Sequence, residues 1–167
     1  VSDRPDTMQA QLIVSVLGLN GGVRFSDSVA VTIPANSSTC CYSRTTAELL
    51  IAAERTNALL QTVLMRNDQI IGSNVLYFCK IKDLRLKVPD LKLQTNFEDN
   101  RVVIQLTSDT LAKNVYLRFP GAAGRFSDNY FDCLPGETCC VDYTPADGEP
   151  LPGPERLRVR TLADAYR

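Results

Sequence analysis

The sequence predicts an all-β protein built as two antiparallel β-sandwiches in tandem. Three observations lead there. Apolar and polar residues alternate with a period of two in one run after another, the pattern of half-buried strands. Turn-forming residues interrupt these runs about every 8–12 residues, the spacing of sandwich folds. Residues 80–90 alternate charge and apolar side chains and then meet Pro89, a short stiff connector that divides the 167 residues into two lengths, each suited to one small sandwich.

In order along the chain, Met8, Ala10, Leu12, Val14 and Val16 occupy every second position of a first strand. Asn20-Gly21-Gly22 follows as a turn, and Val23 to Ile33 returns as a second strand that Pro34-Ala35-Asn36 ends. Thr39 to Ser43 reads as a short strand. Thr45 to Ala53 is the one helix-like run, with Thr45 placed to cap it. Leu59 to Met65 and Val75 to Cys79 form a further strand pair, with Arg66-Asn67-Asp68 and Gly72-Ser73-Asn74 as turns between and beside them. Beyond the connector, Leu91 to Phe97 and Arg101 to Leu106 flank a hairpin turn at Glu98-Asp99-Asn100. Val115, Leu117 and Phe119 alternate in the next strand. Pro120-Gly121 and Gly124 mark a loop, Phe126 to Cys133 runs into Leu134-Pro135-Gly136-Glu137, and Thr138 to Tyr143 is another strand. The Pro- and Gly-rich run Thr144 to Pro154 is a loop, and Leu157 and Val159 belong to a last strand.

Composition narrows the function. The formal net charge is −1 and the basic residues form no block, so no nucleic-acid partner is expected. No apolar run approaches the roughly 18 residues of a membrane-spanning helix, and no membrane partner is expected. The chain opens Val1-Ser2-Asp3-Arg4-Pro5 without Met, basic segment or apolar segment. No signal peptide is therefore expected in it, as for a processed product or a piece of a longer polypeptide. Histidine is absent, which removes Ser-His-Asp and Cys-His catalysis together with the commonest metal ligand. Tryptophan is absent too, which weakens a sugar-stacking role, although six tyrosines remain.

The candidate chemical groups each have a structural reading beside the functional one. Six cysteines stand as Cys40-Cys41, Cys79, Cys133 and Cys139-Cys140, with no C-x-x-C spacing. Neighbours in a strand point to opposite faces, so a vicinal pair chelates one metal poorly, and each is expected to serve as a small hydrophobe. A bridge from Cys133 to Cys139 or Cys140 across Pro135-Gly136 stays open. Asn36-Ser37-Ser38 fits the N-glycosylation sequon, against the alternative of a plain loop asparagine. Acid pairs such as Glu98 with Asp99, or Asp128 with Asp132, bring glycoside hydrolysis to mind, but acids in turns are expected to be solvated or capping. Ser127-Asp128-Asn129 is suited to hold a tight bend by side-chain bonds to backbone, and Pro135-Gly136 to a turn with Gly at positive φ. Catalytic, cofactor and metal residues are expected to be none, and no cofactor is expected.

The run Gly124-Arg125-Phe126-Ser127-Asp128-Asn129-Tyr130-Phe131-Asp132-Cys133-Leu134-Pro135-Gly136-Glu137 resembles the G-R-F-S-D-N-Y/F-F-D-x-L-P-G-E run near the C-terminus of β-mannosidases of glycoside hydrolase family two. Weaker likenesses fall in the right order around it. Val1-Ser2-Asp3-Arg4 resembles V-N-D-R, and Pro34-Ala35-Asn36-Ser37-Ser38 resembles P-A-N-S-S. Leu76-Tyr77-Phe78 resembles N-L-Y-F, and Leu157 to Leu162 resembles L-R-V-R-S-L.

The resemblance implies two tandem immunoglobulin-like β-sandwiches, one over residues 1–82 and one over residues 83–167. It implies that the first is incomplete at its N-terminus, because the family carries further strand sequence before V-N-D-R. It also implies that the chain does no chemistry itself. The family's two catalytic glutamates lie in an upstream (β/α)8 barrel, and the rest of such a glycosidase would be the partner. The compartment would be lysosomal or secreted, or bacterial cytoplasmic or periplasmic, according to that parent. At the positions of the strand cysteines the family tends to carry aliphatic residues. The loop at Arg125, Asp128 and Asn129 is a candidate interdomain contact. An independent adhesion or carbohydrate-binding module with immunoglobulin- or fibronectin-like domains is the alternative from another class.

Overall fold

The structure is a computed structural model, and it describes residues 2–166. Val1 and Arg167, the outer ends of the two expected sandwiches, lie outside the described residues. The chain divides into two compact units, one of Val1–Gly18 with Gly22–Arg85, the other of Leu19–Gly21 with Leu86–Arg167.

The first unit is organised on one antiparallel sheet. Strands β1 (Met8–Gly18), β2 (Val23–Ile33), β3 (Ala58–Arg66) and β4 (Gln69–Tyr77) lie in the order β2-β1-β3-β4. The alternation read from the sequence sets the face: Met8, Val14 and Val16 of β1 are buried, while Gln9 and Gln11 are exposed. The register pairs Leu12 with Val29 on one side and with Leu64 on the other, so one face is apolar across three strands. Asn67 and Asp68, both at positive φ, form the two-residue turn between β3 and β4, a conformation whose twist suits a hairpin.

Three local expectations do not hold. Gly72-Ser73-Asn74 is not a turn but lies inside β4, paired with Leu64, Val63 and Thr62. The Asn67-Asp68 reversal has already been made, and the ladder to β3 carries the chain through the glycine. Thr39 to Ser43 is not a strand: the thiols of Cys40 and Cys41 donate to the nearby carbonyls of Tyr42 and Thr39, and Tyr42 Oη donates to Asp27. The helix is a single turn, α1 (Thr46–Leu49), followed by a 3-10 segment at Ala52–Asn57. Leu50 adopts an extended backbone and joins a small core with Val16 and Ala58. Burial of that leucine outweighs one further turn of weak helix.

The second unit is a two-sheet sandwich. Strands β5 (Leu91–Glu98), β6 (Arg101–Ser108), β10 (Thr138–Pro145) and β8 (Gly124–Phe126) form one sheet in the order β5-β6-β10-β8. Strands β7 (Ala112–Arg118), β9 (Phe131–Cys133) and β11 (Arg158–Arg160) form the other in the order β11-β7-β9. Val102, Ile104, Leu106, Val141 and Tyr143 from the first sheet meet Ala112, Val115, Leu117 and Cys133 from the second in one core. Phe119 and Phe126 close one end: the Phe119 ring stands edge-on to Tyr143 at 4.8 Å and stacks on Phe126 at 5.8 Å. Such aromatic pairs add about 0.5–1.5 kcal/mol beyond their burial.

Gly124, expected in a loop, instead opens β8. A Cβ there would stand 2.6 Å from the Thr144 carbonyl oxygen and inside the Tyr143 phenol, so the strand approach requires glycine. Gly136 has φ of 81°, and the Glu137 N–H bonds to the Leu134 carbonyl at 3.1 Å, the turn expected of Pro135-Gly136. The all-β antiparallel architecture is thus as the sequence predicts.

Candidate functional site

The signature loop is built first from backbone bonds made by its own polar side chains. Ser127 exchanges two bonds with Asp142 of β10: its N–H donates to the Asp142 carbonyl at 2.7 Å, and its Oγ accepts the Asp142 N–H at 3.0 Å. Two residues on, Asn129 does the same for the other sheet. Its Oδ1 accepts the Leu117 N–H at 2.7 Å and its Nδ2 donates to the Leu117 carbonyl at 2.9 Å. The loop therefore joins both sheets of the sandwich, one residue to each. Asp128 accepts the Asn129 N–H at 2.7 Å and holds the bend. Arg125 is exposed on β8, opposite Thr144, and lines a shallow depression of about 410 Å3 with Pro145, Ala146 and Asp147. Asp128 and Asn129 thus serve the loop itself, while Arg125 presents its charge to solvent on the other sheet.

The bend also produces a feature the sequence did not announce. Tyr130 stands at φ of 62°, unusual for a bulky residue, with its N–H donating to the Val115 carbonyl at 2.7 Å. The residue is 65% exposed, and its ring stacks on Tyr116 at 5.0 Å between centroids. Val115 and Leu117 of β7 are buried, so Tyr116 and Arg118 point away from the core. The register places Arg160 directly opposite Tyr116, and Arg158 directly opposite Arg118. The outward face of the three-stranded sheet thus carries two stacked tyrosines and the guanidinium groups of Arg118, Arg158 and Arg160. The available signal was the polar phase of the β7 and β11 alternation, which is basic at Arg118, Arg158 and Arg160.

Of the acids considered as hydrolytic pairs, Glu98, Asp128 and Asp132 are held in structural bonds. Glu98 and Asp142 both bind Arg101, whose Nε reaches Glu98 at 2.7 Å and whose Nη1 reaches Asp142 at 3.1 Å. Asp132 accepts from Lys113 Nζ at 2.9 Å and from the Asn114 N–H at 3.0 Å. These bonds consume the carboxylates in fixing β-hairpin and β7–β9 geometry.

All six cysteines are free thiols. Cys133 is fully buried, and Cys139 packs against the same core. Their mutual hydrogen bond, reinforced by burial, holds the Cys139 thiol far above the ordinary thiol range. Burial raises Cys79 as well, with Asp83 adding to it. Cys79 lies just past β4 rather than in a strand. Among the described residues no group of three or more His, Cys, Asp or Glu side chains gathers as a metal site.

Asn36 is exposed at φ of 43°, in a turn where its N–H donates to the Arg4 carbonyl at 2.9 Å and Ser37 Oγ donates to the Pro34 carbonyl at 2.7 Å. In the same unit a cavity of about 510 Å3 opens between Leu12, Val14, Leu60 and Thr62 of the sheet and the segment Cys40 to Arg44. Arg44 spans its rim, its guanidinium 5.8 Å over the Tyr42 ring and 3.7 Å from Asp27. The floor of this cavity is aliphatic and offers packing rather than chemistry.

Comparison with known proteins gives a consistent picture. Residues 1–83 match the family model of the Mannosidase Ig/CBM-like domain, and residues 86–165 match that of the Ig-fold domain of mannosidases. No curated protein sequence matches the chain. Among solved structures, the chain is similar to the β-D-mannosidase of Dictyoglomus thermophilum, with a TM-score of 0.71 and 17% identity, covering 95% of this chain and 19% of that one. It is also similar to the exo-chitosanase of Amycolatopsis orientalis, with a TM-score of 0.60 and 13% identity, covering 95% and 23%. At these identities the likeness shows the fold, and the chain spans about a fifth of the length of either enzyme.

Proposed function

The chain belongs to the mannosidase immunoglobulin-like domains of glycoside hydrolase family two, and from that we propose that it is the noncatalytic part of a β-mannosidase-type exo-glycosidase. In this reading the parent enzyme removes terminal β-D-mannose residues with an upstream (β/α)8 barrel. The present chain acts as structural and interface scaffold for that barrel. The observation that carries the reading is the order of the two domain matches, one directly after the other across nearly the whole chain. The bonding of the acids supports it: Glu98, Asp132 and Asp142 are each engaged with a cation or backbone amide that a catalytic carboxylate would have to give up. The exposed Asn36 sequon would be an acceptor for a glycan if the parent follows a secretory route.

Assay of the purified chain and of the complete polypeptide against an aryl β-D-mannoside tests the reading. The chain alone should be inactive. The complete polypeptide should be active and should lose thermal stability or activity when residues 86–165 are removed. Hydrolysis by the chain alone, abolished by changing one of its own acids, would overturn the reading. So would a complete polypeptide with no activity on β-mannosides.

A further inference from the structure

We propose that the outward face of the three-stranded sheet in the second unit, formed by Tyr116, Tyr130, Arg118, Arg158 and Arg160, is a docking surface for an acidic polypeptide segment. The proposal concerns the chemistry of the partner and goes beyond the scaffold role.

Two features of this face are unfavourable in isolation. Arg118 and Arg158 stand directly opposite each other across β7 and β11, and like charges so placed repel. Tyr130 is held at positive φ and largely exposed, a conformation that costs of order 1–3 kcal/mol and that its bond to Val115 and its stacking on Tyr116 enforce. Both make sense on a surface that a counter-charged partner completes.

The guanidinium groups are free to act. Among the described residues the Arg118 and Arg160 guanidinium groups make no hydrogen bond or ion pair, and that of Arg158 donates to the carbonyls of Glu155 and Leu157. Asp132 and Asp164 are engaged elsewhere: Asp132 binds Lys113 and the Asn114 amide, and Asp164 accepts from Thr161. A guanidinium fork matches a carboxylate in two parallel bonds, and Tyr and Arg are the residue types that carry most energy at protein interfaces.

Shape selects among anionic partners. The charged side chains spread over two neighbouring strands rather than converge on a pocket, which disfavours a small anion. Tyr116 already gives one ring face to Tyr130, which disfavours a stacked sugar. The chain's net charge of −1 disfavours a long polyanion such as nucleic acid. Successive outward residues on one strand lie about 6.7 Å apart, as do alternate side chains of an extended peptide. An acidic segment laid along β7 and β11 would therefore place carboxylates in register with Arg118, Arg158 and Arg160.

Fluorescence anisotropy of a labelled decapeptide of alternating Glu and Thr, titrated with the intact chain at low ionic strength, tests the proposal. The peptide should bind. Joint Arg118→Glu and Arg160→Glu substitution should weaken binding by about tenfold or more, Tyr130→Ala should weaken it less, and Arg66→Glu, on the end of β3, should leave it unchanged. Should charge reversal lower the unfolding temperature, Arg118→Gln with Arg160→Gln removes the charge without that complication. Absence of binding would overturn the proposal, as would equal binding by the variants. A preference for a heparin oligosaccharide or a single-stranded oligonucleotide over the Glu peptide would also overturn it. Self-association of the chain that the Arg variants abolish would assign the face to a second copy instead. None of these outcomes depends on mannosidase activity, so the scaffold reading stands or falls separately.

Discussion

The carboxamide of Asn129 both accepts from and donates to the backbone of Leu117, at 2.7 and 2.9 Å. It occupies the place of a neighbouring strand for one residue of β7. Asn129→Leu leaves both backbone groups without a partner in a half-buried site, and unsatisfied groups of this kind cost about 1–3 kcal/mol each. A loss of about 2–4 kcal/mol in the urea unfolding of the second unit is the expected result. A change below 0.5 kcal/mol, roughly the noise of such comparisons, would show that water replaces the carboxamide.

Gly136 sits at φ of 81° with open space around it. Gly136→Val should destabilise by about 1–3 kcal/mol through backbone strain alone. Gly136→Asn should recover most of that, because asparagine tolerates the left-handed region. Equal urea midpoints for the Val and Asn variants would contradict the assignment.

Thiol chemistry should follow burial. Cys40 and Cys140 are exposed, while Cys133 is buried and Cys139 shares a hydrogen bond with it that, with burial, raises the Cys139 thiol above the ordinary thiol range. Alkylation near pH 8 followed by peptide mass spectrometry should modify Cys40 and Cys140 first and Cys133 and Cys139 last. Early loss of the Cys133 and Cys139 thiols together, as a disulfide, would instead point to an oxidised pair.

The capping carboxylate of Glu48 is held below the usual carboxylate range, first by the Thr45 backbone N–H and then by its hydroxyl. Because the folded value is depressed, the contribution is fully present above the unfolded value near 4.3. It is lost as pH falls through the lower folded value. Amide protection at α1, taken relative to the intrinsic exchange rate at each pH, should fall below about pH 4 in the wild type, and Glu48→Gln should flatten that dependence. A wild-type protection that does not change with pH would rule the cap out.

The two units should differ in protection. The first rests on one sheet whose edge strand β4 leaves Ile70, Ile71 and Leu76 exposed, whereas the second closes a two-sheet core. Hydrogen exchange should therefore be faster across residues 69–77 than across residues 101–108. The reverse order would show that the sheet of the first unit is covered in solution.

Much of this architecture was legible in the sequence. The alternation of Met8, Val14 and Val16 gave β1, and the Val23 to Ile33 run gave β2 to the residue, because period-two patterning reports burial directly. What was not legible depended on contacts distant in sequence. Gly72 is a turn signal by type and a strand residue by pairing with Leu64. The helix after Thr45 stops because Leu50 has a core to enter. Asn129 was expected to hold a local bend, yet its partner is Leu117 on another strand. The Tyr130 conformation and the face it forms with Tyr116 and Arg160 exist only once β7 and β11 are side by side.

Gly124 and Gly136 are the same residue under different constraints, and a saturation library would separate them. At position 136 the limit is a dihedral angle, so any side chain at ease in the left-handed region passes. At position 124 the limit is volume already filled by the Tyr143 ring and by the Thr144 backbone. Shrinking Tyr143 would clear the ring and leave the carbonyl in place, so no second-site change at 143 alone opens position 124 to other residues. Position 136 is therefore open to the few residues that tolerate a left-handed backbone, and position 124 is frozen by main chain rather than by any neighbour that selection can exchange.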